Sequence, residues 1–216
     1  MESYKEIKTY YSREGTADLS TYEKDHKPRL DNLISDLKLN EIMESKVCDF
    51  GAGGGYILKN MHSSNQVIAV DGFQIKDELI REQYNLDIPY ADDFLSKHGQ
   101  IDAAFSFEMF EHLSNPYNFI IELKKVLKEG GLLYFSVPHS LTQHNTFYPG
   151  LIYPVQNLIE FFNQMAFSVQ QIKIHNARFV QNVLILKNKP WSSVKMKWPK
   201  EGKAFQGQPP HVQVNL

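Results

Sequence analysis

Short apolar runs alternate with amphipathic stretches over the middle of the chain. The apolar runs predict buried strands at residues 46–50, 66–70, 101–107 and 132–137. Apolar residues at helical spacing predict helices at residues 29–43, 56–61, 74–84 and 118–127. One more short strand is predicted to follow residues 86–89, just before Asp92 and Asp93. This alternation favours an α/β domain with a parallel sheet and helices on both faces.

The pattern changes beyond residue 137. Residues 157–165 predict a helix, and residues 169–174 and 180–186 are two β-type runs with a short connection. Two such runs predict an antiparallel hairpin at the edge of the sheet. Gly130 and Gly131 predict a turn that ends the preceding helix before the last parallel strand begins.

The two ends of the chain differ from its middle in composition. Residues 1–28 are polar and rich in tyrosine, which predicts an N-terminal cap. Residues 29–189 carry the alternating pattern and are expected to form the main domain. Residues 190–216 mix tryptophan, proline and glycine with lysine and glutamine, and predict an irregular tail.

Composition limits the kinds of partner and cellular compartment expected for this 216-residue chain. The net charge of -2 disfavours nucleic acid as a partner, because nothing indicates a basic surface. The single cysteine, Cys48, allows no intramolecular disulfide, which is typical of a reducing compartment. The N-terminus lacks a signal-peptide pattern and no apolar run reaches about 18 residues. We therefore expect a cytoplasmic protein without a membrane span; whether it is a monomer or a homodimer stays open.

The segment most informative about function is the glycine-rich sequence at residues 49–55, between a predicted strand and a predicted helix. Parallel sheets bind ligands at the carboxyl ends of their strands. Glycines let the backbone approach a ligand without a Cβ clash, and the start of the following helix offers free N–H groups. This turn therefore predicts a site for a nucleotide-like ligand.

Two common glycine motifs do not fit this turn. The dinucleotide fingerprint requires glycine or alanine three positions after its second glycine. Counted from Gly53 or Gly55, that position is Tyr56 or Leu58. The Gly-Lys-Ser/Thr element of a phosphate-binding loop is also absent.

Two aspartates add chemistry to the turn. Asp49 lies two positions before Gly51, so its carboxylate can accept hydrogen bonds from an ammonium group or only stabilise the turn. Asp71 ends the second strand, 20 positions after Gly51. A carboxylate there can accept hydrogen bonds from both hydroxyls of a ribose. The alternative, an ordinary strand-end aspartate, is less favoured because the glycine turn accompanies it.

These features resemble the class I S-adenosylmethionine-dependent methyltransferases over about residues 25–187. Residues 47–55 and 67–71 look like the first and second motifs of that family. Residues 91–94 are similar to the third-strand motif that reaches the adenine, and residues 101–107 to the fourth strand. Residues 127–138 are similar to the Leu-Lys-Pro-Gly-Gly turn and fifth strand, with Glu129 in place of the proline.

The resemblance implies a fold and a cofactor. The fold is a doubly wound, mostly parallel seven-stranded Rossmann-like sheet that ends in an antiparallel hairpin, with a helical N-terminal cap. The cofactor is S-adenosylmethionine, and the product is S-adenosylhomocysteine. The residues then expected to bind it are Arg29, Asp49, Gly51, Ala52, Gly53, Gly55, Asp71, Gly72, Phe73, Asp92, Asp93, Phe94, Phe107, Glu108, Met109 and His112.

A narrower resemblance concerns the ubiquinone-biosynthesis O-methyltransferases. Residues 108–113 look like their Glu-x-x-Glu-His segment. Residues 26–30 are similar to an upstream segment whose arginine reaches the cofactor carboxylate, which is the basis for including Arg29. Small-molecule and sugar methyltransferases share the Glu-His element, so this branch is not the only one indicated.

Three histidines are candidates for a catalytic base. In-line methyl transfer depends on alignment, and an oxygen nucleophile must also lose a proton, a task that suits histidine near neutral pH. His112 follows the fourth strand, and His139 and His144 follow the fifth. Each could instead pack or lie in a solvated loop. No His, Asp or Glu residues have the tight spacing of metal ligands, so no metal site is predicted.

The favoured function is therefore O-methylation of a small-molecule or sugar-linked metabolite. N-methylation of a small amine is a close alternative that needs less base catalysis. A non-catalytic S-adenosylmethionine-binding protein and a nicotinamide-dependent enzyme are alternatives from other classes. The methyl acceptor itself is not indicated by any motif, because acceptor pockets are built from variable caps and loops.

Overall fold

A single sheet organises the part of the chain that the structure describes. The computed structural model describes residues 19–72, 78–139, 155–176 and 180–194. Within these ranges, seven strands lie in the order β3-β2-β1-β4-β5-β7-β6. They are β1 (Lys46–Phe50), β2 (Gln66–Asp71), β3 (Ile80–Gln83), β4 (Ile101–Phe107), β5 (Leu127–Pro138), β6 (Phe167–Asn176) and β7 (Val180–Asn188). Strands β1 to β5 pair in parallel, whereas β7 is antiparallel to both β5 and β6.

Helices cover both faces of this sheet. They are α1 (Leu19–Asp36), α2 (Tyr56–Lys59), α3 (Ala91–His98), α4 (Pro116–Val126) and α5 (Val155–Gln164). The predicted doubly wound, mostly parallel sheet with a terminal hairpin is therefore confirmed. None of the described helices is long and apolar enough to cross a membrane.

Two hydrophobic clusters hold the layers together. On one face, fully buried rings such as Phe50, Phe119 and Phe162 pack α3, α4 and α5 against the sheet. On the other face, α1 and α2 pack through residues such as Leu33 and Leu58. The carboxyl ends of the parallel strands are left between these layers, at the edge where a ligand is expected.

Helix α1 extends beyond its predicted limits at one end and stops short at the other. It begins at Leu19 and ends at Asp36, whereas residues 29–43 were predicted to be helical. Lys38 adopts a left-handed conformation with φ of 54°, and a short 3-10 turn follows at Leu39–Glu41. The predicted boundary between cap and domain, after residue 28, falls inside this continuous helix.

The predictions for residues 74–90 are wrong where the structure describes them. Residues 80–83 form strand β3, paired in parallel with β2, rather than the end of a helix. No strand follows residues 86–89; helix α3 begins at Ala91. The local sequence pattern indicated a helix, but pairing with β2 overrides that local preference.

The Gly130-Gly131 pair is not a turn. Both glycines lie inside β5, which begins directly after α4. A Cβ on Gly131 would lie 2.8 Å from Leu127 Cδ1 and 2.9 Å from the Asp102 carbonyl oxygen. The absence of a side chain thus permits a close approach of β5 to β4, where their pairing is irregular.

Candidate functional site

The glycine turn is bound to the end of β2. The N–H groups of Gly51 and Ala52 donate to the Val70 carbonyl at 2.8 and 3.1 Å. The next N–H, from Gly53, donates to Asp71 Oδ2 at 2.9 Å. The turn and Asp71 therefore form one unit at the carboxyl ends of β1 and β2.

Glycine is required in this turn for two reasons. Gly51, Gly53 and Gly55 have φ of 83°, 49° and 74°, in the region that other residues rarely adopt. A Cβ on Gly51 would also lie 2.5 Å from Met109 Cγ. Met109, which the sequence predicted at the site, therefore packs directly against the turn.

Asp49 is buried beneath the turn, with 4% of its surface exposed. The pKa of its carboxyl is raised to about 7. Burial is the main cause and the charge of Asp71 adds to it, whereas Arg81 opposes both. Two carboxyls thus share a small volume, and the ionised form of Asp49 needs a positive partner. This is the environment that a ligand ammonium group would complete.

We expect Asp49 to make the stability of the ligand-free protein depend on pH. Between about pH 4 and pH 7, the folded protein retains a proton that the unfolded chain has lost, so stability falls as pH rises. The slope contributed is at most about 1.4 kcal/mol per pH unit. Urea unfolding at several pH values should show this decline, and Asp49→Asn should make it shallower by the contribution of Asp49. An unchanged decline in Asp49→Asn would contradict the assignment.

A second polar cluster lies at the end of β4. Glu108 has φ of 53°, a strained conformation of a kind often found at functional sites. Its Oε1 accepts a hydrogen bond from Ser136 Oγ at 2.9 Å, and its Oε2 lies 3.9 Å from Arg29 Nη1. Arg29 reaches it from α1 and is only 6% exposed. Helix α1 and the ends of β4 and β5 thereby meet at one buried ion pair.

The Arg29 side chain is incompletely paired. Its Nε is buried and has no hydrogen-bonding partner among the described residues. A buried guanidinium N–H without an acceptor is costly, so it indicates an acceptor that comes from outside these residues. A ligand carboxylate would fit this guanidinium.

Burial dominates the electrostatics of the Glu108–His112 segment. It raises the pKa of Glu108, against the opposing effects of Arg29, of the nearby Gln181 amide and of the hydrogen bond from Ser136. It raises the pKa of Glu111 well above its ordinary value, and the Glu108 charge adds to this increase. His112 Nε2 lies 3.8 Å from Glu111 Oε1. Arg29 is thus the cation that faces both carboxyls.

Most of the remaining predicted residues lie along the same edge. Gly72 follows Asp71, and its carbonyl accepts a hydrogen bond from Gln83 Nε2 at 3.1 Å. Phe107 ends β4 and stacks on Phe105, with ring centroids 5.8 Å apart. His139 follows β5, with its Nδ1 3.0 Å from Asn182 Oδ1. Two predicted residues, Phe73 and His144, lie outside the described residues.

The segment predicted to reach an adenine begins helix α3, where Asp93 Oδ2 accepts a hydrogen bond from the Tyr84 hydroxyl at 2.7 Å. Asp92, Asp93 and Phe94 belong to the first turns of α3 rather than to a strand end. Asp93 pairs with Lys97 at 2.9 Å. Phe94 is fully buried in the core, so its side chain cannot line a cleft. A contact of this segment with a ligand stays a prediction.

Three residues at this edge were not predicted from the sequence. Arg81 on β3 donates to the Gly53 carbonyl at 3.0 Å, and Ser136 on β5 donates to Glu108. Gln181 on β7 is fully buried and lies close enough to Glu108 to lower its pKa. A polar residue at the start of the apolar β7 run was the available signal for Gln181. Arg81 gave none, because its segment was interpreted as a helix.

Metal ligation receives no support from the described part of the chain. No three His, Cys, Asp or Glu side chains are grouped there in a way that could hold a metal ion. The site described above consists instead of a glycine turn, two acidic strand ends and a buried guanidinium.

Comparison with known proteins gives a family match over most of the chain. The family profile described as "Methyltransferase domain" matches residues 6–181. The ubiquinone biosynthesis O-methyltransferase of Glaesserella parasuis is 30% identical over 112 residues. That match covers 46% of this chain and 48% of the relative, so the chain spans about half the length of this curated relative.

Solved structures share the fold at low sequence identity. An S-adenosylmethionine-dependent methyltransferase from Clostridium acetobutylicum aligns with a TM-score of 0.57 at 10% identity, over 87% of this chain and 99% of that one. The 1,6-didemethyltoxoflavin-N1-methyltransferase of Burkholderia thailandensis aligns with a TM-score of 0.55 at 16% identity, over 85% of each chain. At these identities the likeness concerns the fold.

Proposed function

Since the chain belongs to the methyltransferase-domain family, we propose that it is a class I S-adenosylmethionine-dependent methyltransferase and that it methylates an oxygen atom of a small molecule. A hydroxylated or sugar-linked metabolite is the proposed acceptor class. The O-methyltransferase relative supports oxygen as the acceptor atom. The bound cofactor supplies the electrophilic methyl group, and the protein binds and aligns the reactants.

The cofactor part of the proposal is carried by the glycine turn with its flanking charges. Asp71 would accept hydrogen bonds from the ribose hydroxyls, and Asp49 would face the ammonium group of the amino-acid moiety. Arg29, whose buried Nε has no partner among the described residues, would receive the carboxylate. Both charged ends of an amino acid and a ribose thus find complementary groups.

Calorimetric titration with S-adenosylhomocysteine tests this assignment directly. We expect saturable binding with one site per chain, and no displacement by NADH. Competition by NADH would instead favour a nicotinamide-dependent enzyme. Absence of any S-adenosylhomocysteine binding would overturn the proposed cofactor.

The proposed base is a histidine at the carboxyl edge of the sheet. His139 lies at the end of β5, and its Nδ1 contacts Asn182, which would leave Nε2 directed elsewhere. His112 is less accessible, with its side chain 10% exposed beside Glu111. His144 is retained from the sequence as the third candidate. His139 is favoured because it is the more accessible of the two candidate histidines that the structure describes.

We expect His139→Ala to lower kcat by about 10²–10⁴-fold in an O-methyltransferase, because the acceptor hydroxyl loses its base. KM for the cofactor should change little. The measurement is methyl transfer from labelled cofactor to a panel of phenols, sugar hydroxyls and amines, with His112→Ala and His144→Ala in parallel. His62→Ala, on the surface beside Ser64, is the matched control.

The panel also separates the alternative functions. Transfer to amines that survives all three substitutions would favour N-methylation, since a neutral amine needs no base to attack. Cofactor binding without transfer to any acceptor of the panel would favour a non-catalytic binding protein. Transfer to a hydroxyl that is lost in one histidine variant supports the proposed function.

A further inference from the structure

Arg81 occupies an unusual position for a residue on an edge strand. Its Nη1 donates to the Gly53 carbonyl at 3.0 Å, so the guanidinium reaches the glycine turn from β3. Its Nη2 would lie 3.1 Å from a Cβ placed on Gly55. The missing side chain at Gly55 therefore leaves space for Arg81 and for Leu79, whose Cδ1 would clash with that Cβ.

Strand register explains how the Arg81 side chain reaches this turn from β3. Asp49 on β1 pairs with Ala69 on β2, and Ala69 pairs with Arg81 on β3. Residues in register on neighbouring parallel strands point to the same face. Because Ala69 has only a methyl group, the Arg81 side chain can extend over β2 towards Asp49. Asp71, two positions beyond Ala69, points to this face as well.

The side chains of Asp49, Asp71 and Arg81 on this face of the sheet therefore bring together two carboxyls and one cation. Asp49 faces Asp71 from β2 and Arg81 from β3, and these are the charged groups that act on it. Two neighbouring carboxyls in a buried site resist simultaneous ionisation, and an adjacent cation relieves that repulsion. Arg81 also lowers the pKa of Asp49, which agrees with this arrangement.

We propose that Arg81 is a positioning residue of the cofactor site, which holds the glycine turn through Gly53 and favours the ionised form of Asp49 beside Asp71. This inference rests on the proposed cofactor site. It assigns a role to Arg81, which lies outside the sequence motifs from which that site was predicted. Arg81 acts through the two carboxylates. They in turn would hold the ammonium group and the ribose.

The test compares Arg81→Met with Arg81→Lys. In the ligand-free protein, Asp49 lowers stability as pH rises from about 4 to about 7. Arg81→Met should raise the upper limit of this range by about one pH unit, because the pKa of Asp49 in the folded protein rises. The affinity of this variant for S-adenosylhomocysteine at pH 7 should fall by about fivefold and recover as pH rises above 8, because the ionised fraction of Asp49 falls and recovers in the same way. Arg81→Lys, which keeps the charge, should retain a pH profile close to that of the wild type.

Two controls separate charge from structure. Lys128→Met removes one positive charge from the Lys128–Asp102 pair, at the opposite end of the strands, and should leave both profiles unchanged. Circular dichroism checks that each Arg81 variant folds, and Arg81→Gln replaces the methionine variant if that one does not. Asp49→Asn identifies which part of the pH dependence belongs to Asp49.

The outcomes are distinct. An Arg81→Met profile identical to that of the wild type overturns the inference, as does an Arg81→Lys profile that matches the methionine variant. If the ligand-free shift appears but the wild type binds no S-adenosylhomocysteine, the proposed cofactor fails while the electrostatic role of Arg81 stands.

Discussion

Replacing Asp71 with alanine is expected to weaken S-adenosylhomocysteine binding by at least about 100-fold, because two hydrogen bonds to a charged acceptor are lost. Each such bond contributes about 1.5–3 kcal/mol. The structure adds a second cause, since Asp71 Oδ2 also accepts the Gly53 N–H at 2.9 Å. Isothermal titration calorimetry at pH 7.5 measures the effect.

A companion variant separates the two causes. Asp71→Asn keeps a carbonyl oxygen for the Gly53 N–H but loses the charge, so its affinity should lie between those of wild type and alanine variant. Glu41→Ala removes an exposed carboxylate that pairs with Lys38, outside the proposed site, and should bind normally. Unchanged affinity in Asp71→Ala would remove the ribose assignment, whatever the stability of the variant.

Replacing Arg29 with methionine is expected to lower both stability and cofactor affinity. Arg29 is the cation that faces Glu108 at 3.9 Å and also opposes the raised pKa of Glu111. Removal of one partner from a buried ion pair typically costs about 3 kcal/mol or more. Urea unfolding at pH 8 should show this loss. The loss should shrink as pH falls, because protonation of the two glutamates, whose pKa values are raised, removes the unpaired charge.

A double variant distinguishes the two roles of Arg29. Arg29→Met with Glu108→Gln removes the stranded charge, so stability should recover in part while affinity for S-adenosylhomocysteine stays low. Lys38→Met breaks an exposed pair with Glu41 and should change stability by less than about 1 kcal/mol. Recovery of affinity in the double variant would contradict a direct contact between Arg29 and the cofactor.

The two polar clusters have different roles in the proposed site. The glycine turn with Asp49 and Asp71 would bind the ribose and ammonium groups, and the Arg29–Glu108 pair joins α1 to the ends of β4 and β5. Glu108 lies within reach of Gln181 and Ser136, on the hairpin side of the sheet. Changes in α1 therefore act directly on the strand ends where the acceptor is proposed to bind.

The sequence by itself predicted the features whose signals are local. The apolar runs at residues 46–50 and 101–107 are buried strands, and the terminal hairpin follows from two β-type runs. The glycine turn and Asp71 were recognisable because spacing along the chain brings them to neighbouring strand ends. Their contact through the Gly53 N–H agrees with that spacing.

Pairing between strands that are distant in the sequence determined the features that local patterns did not predict. Residues 80–83 carry a helical pattern, yet pairing with β2 makes them a strand and brings Arg81 to the glycine turn. Gly130 and Gly131 suggested a turn, whereas a close approach to β4 makes them part of β5. Arg29, Glu108 and Gln181 are far apart in sequence and meet only because α1, β4 and β7 converge. Spacing along the chain thus predicted the glycine turn and Asp71, whereas the charges around them depend on strand register, which only the folded sheet defines.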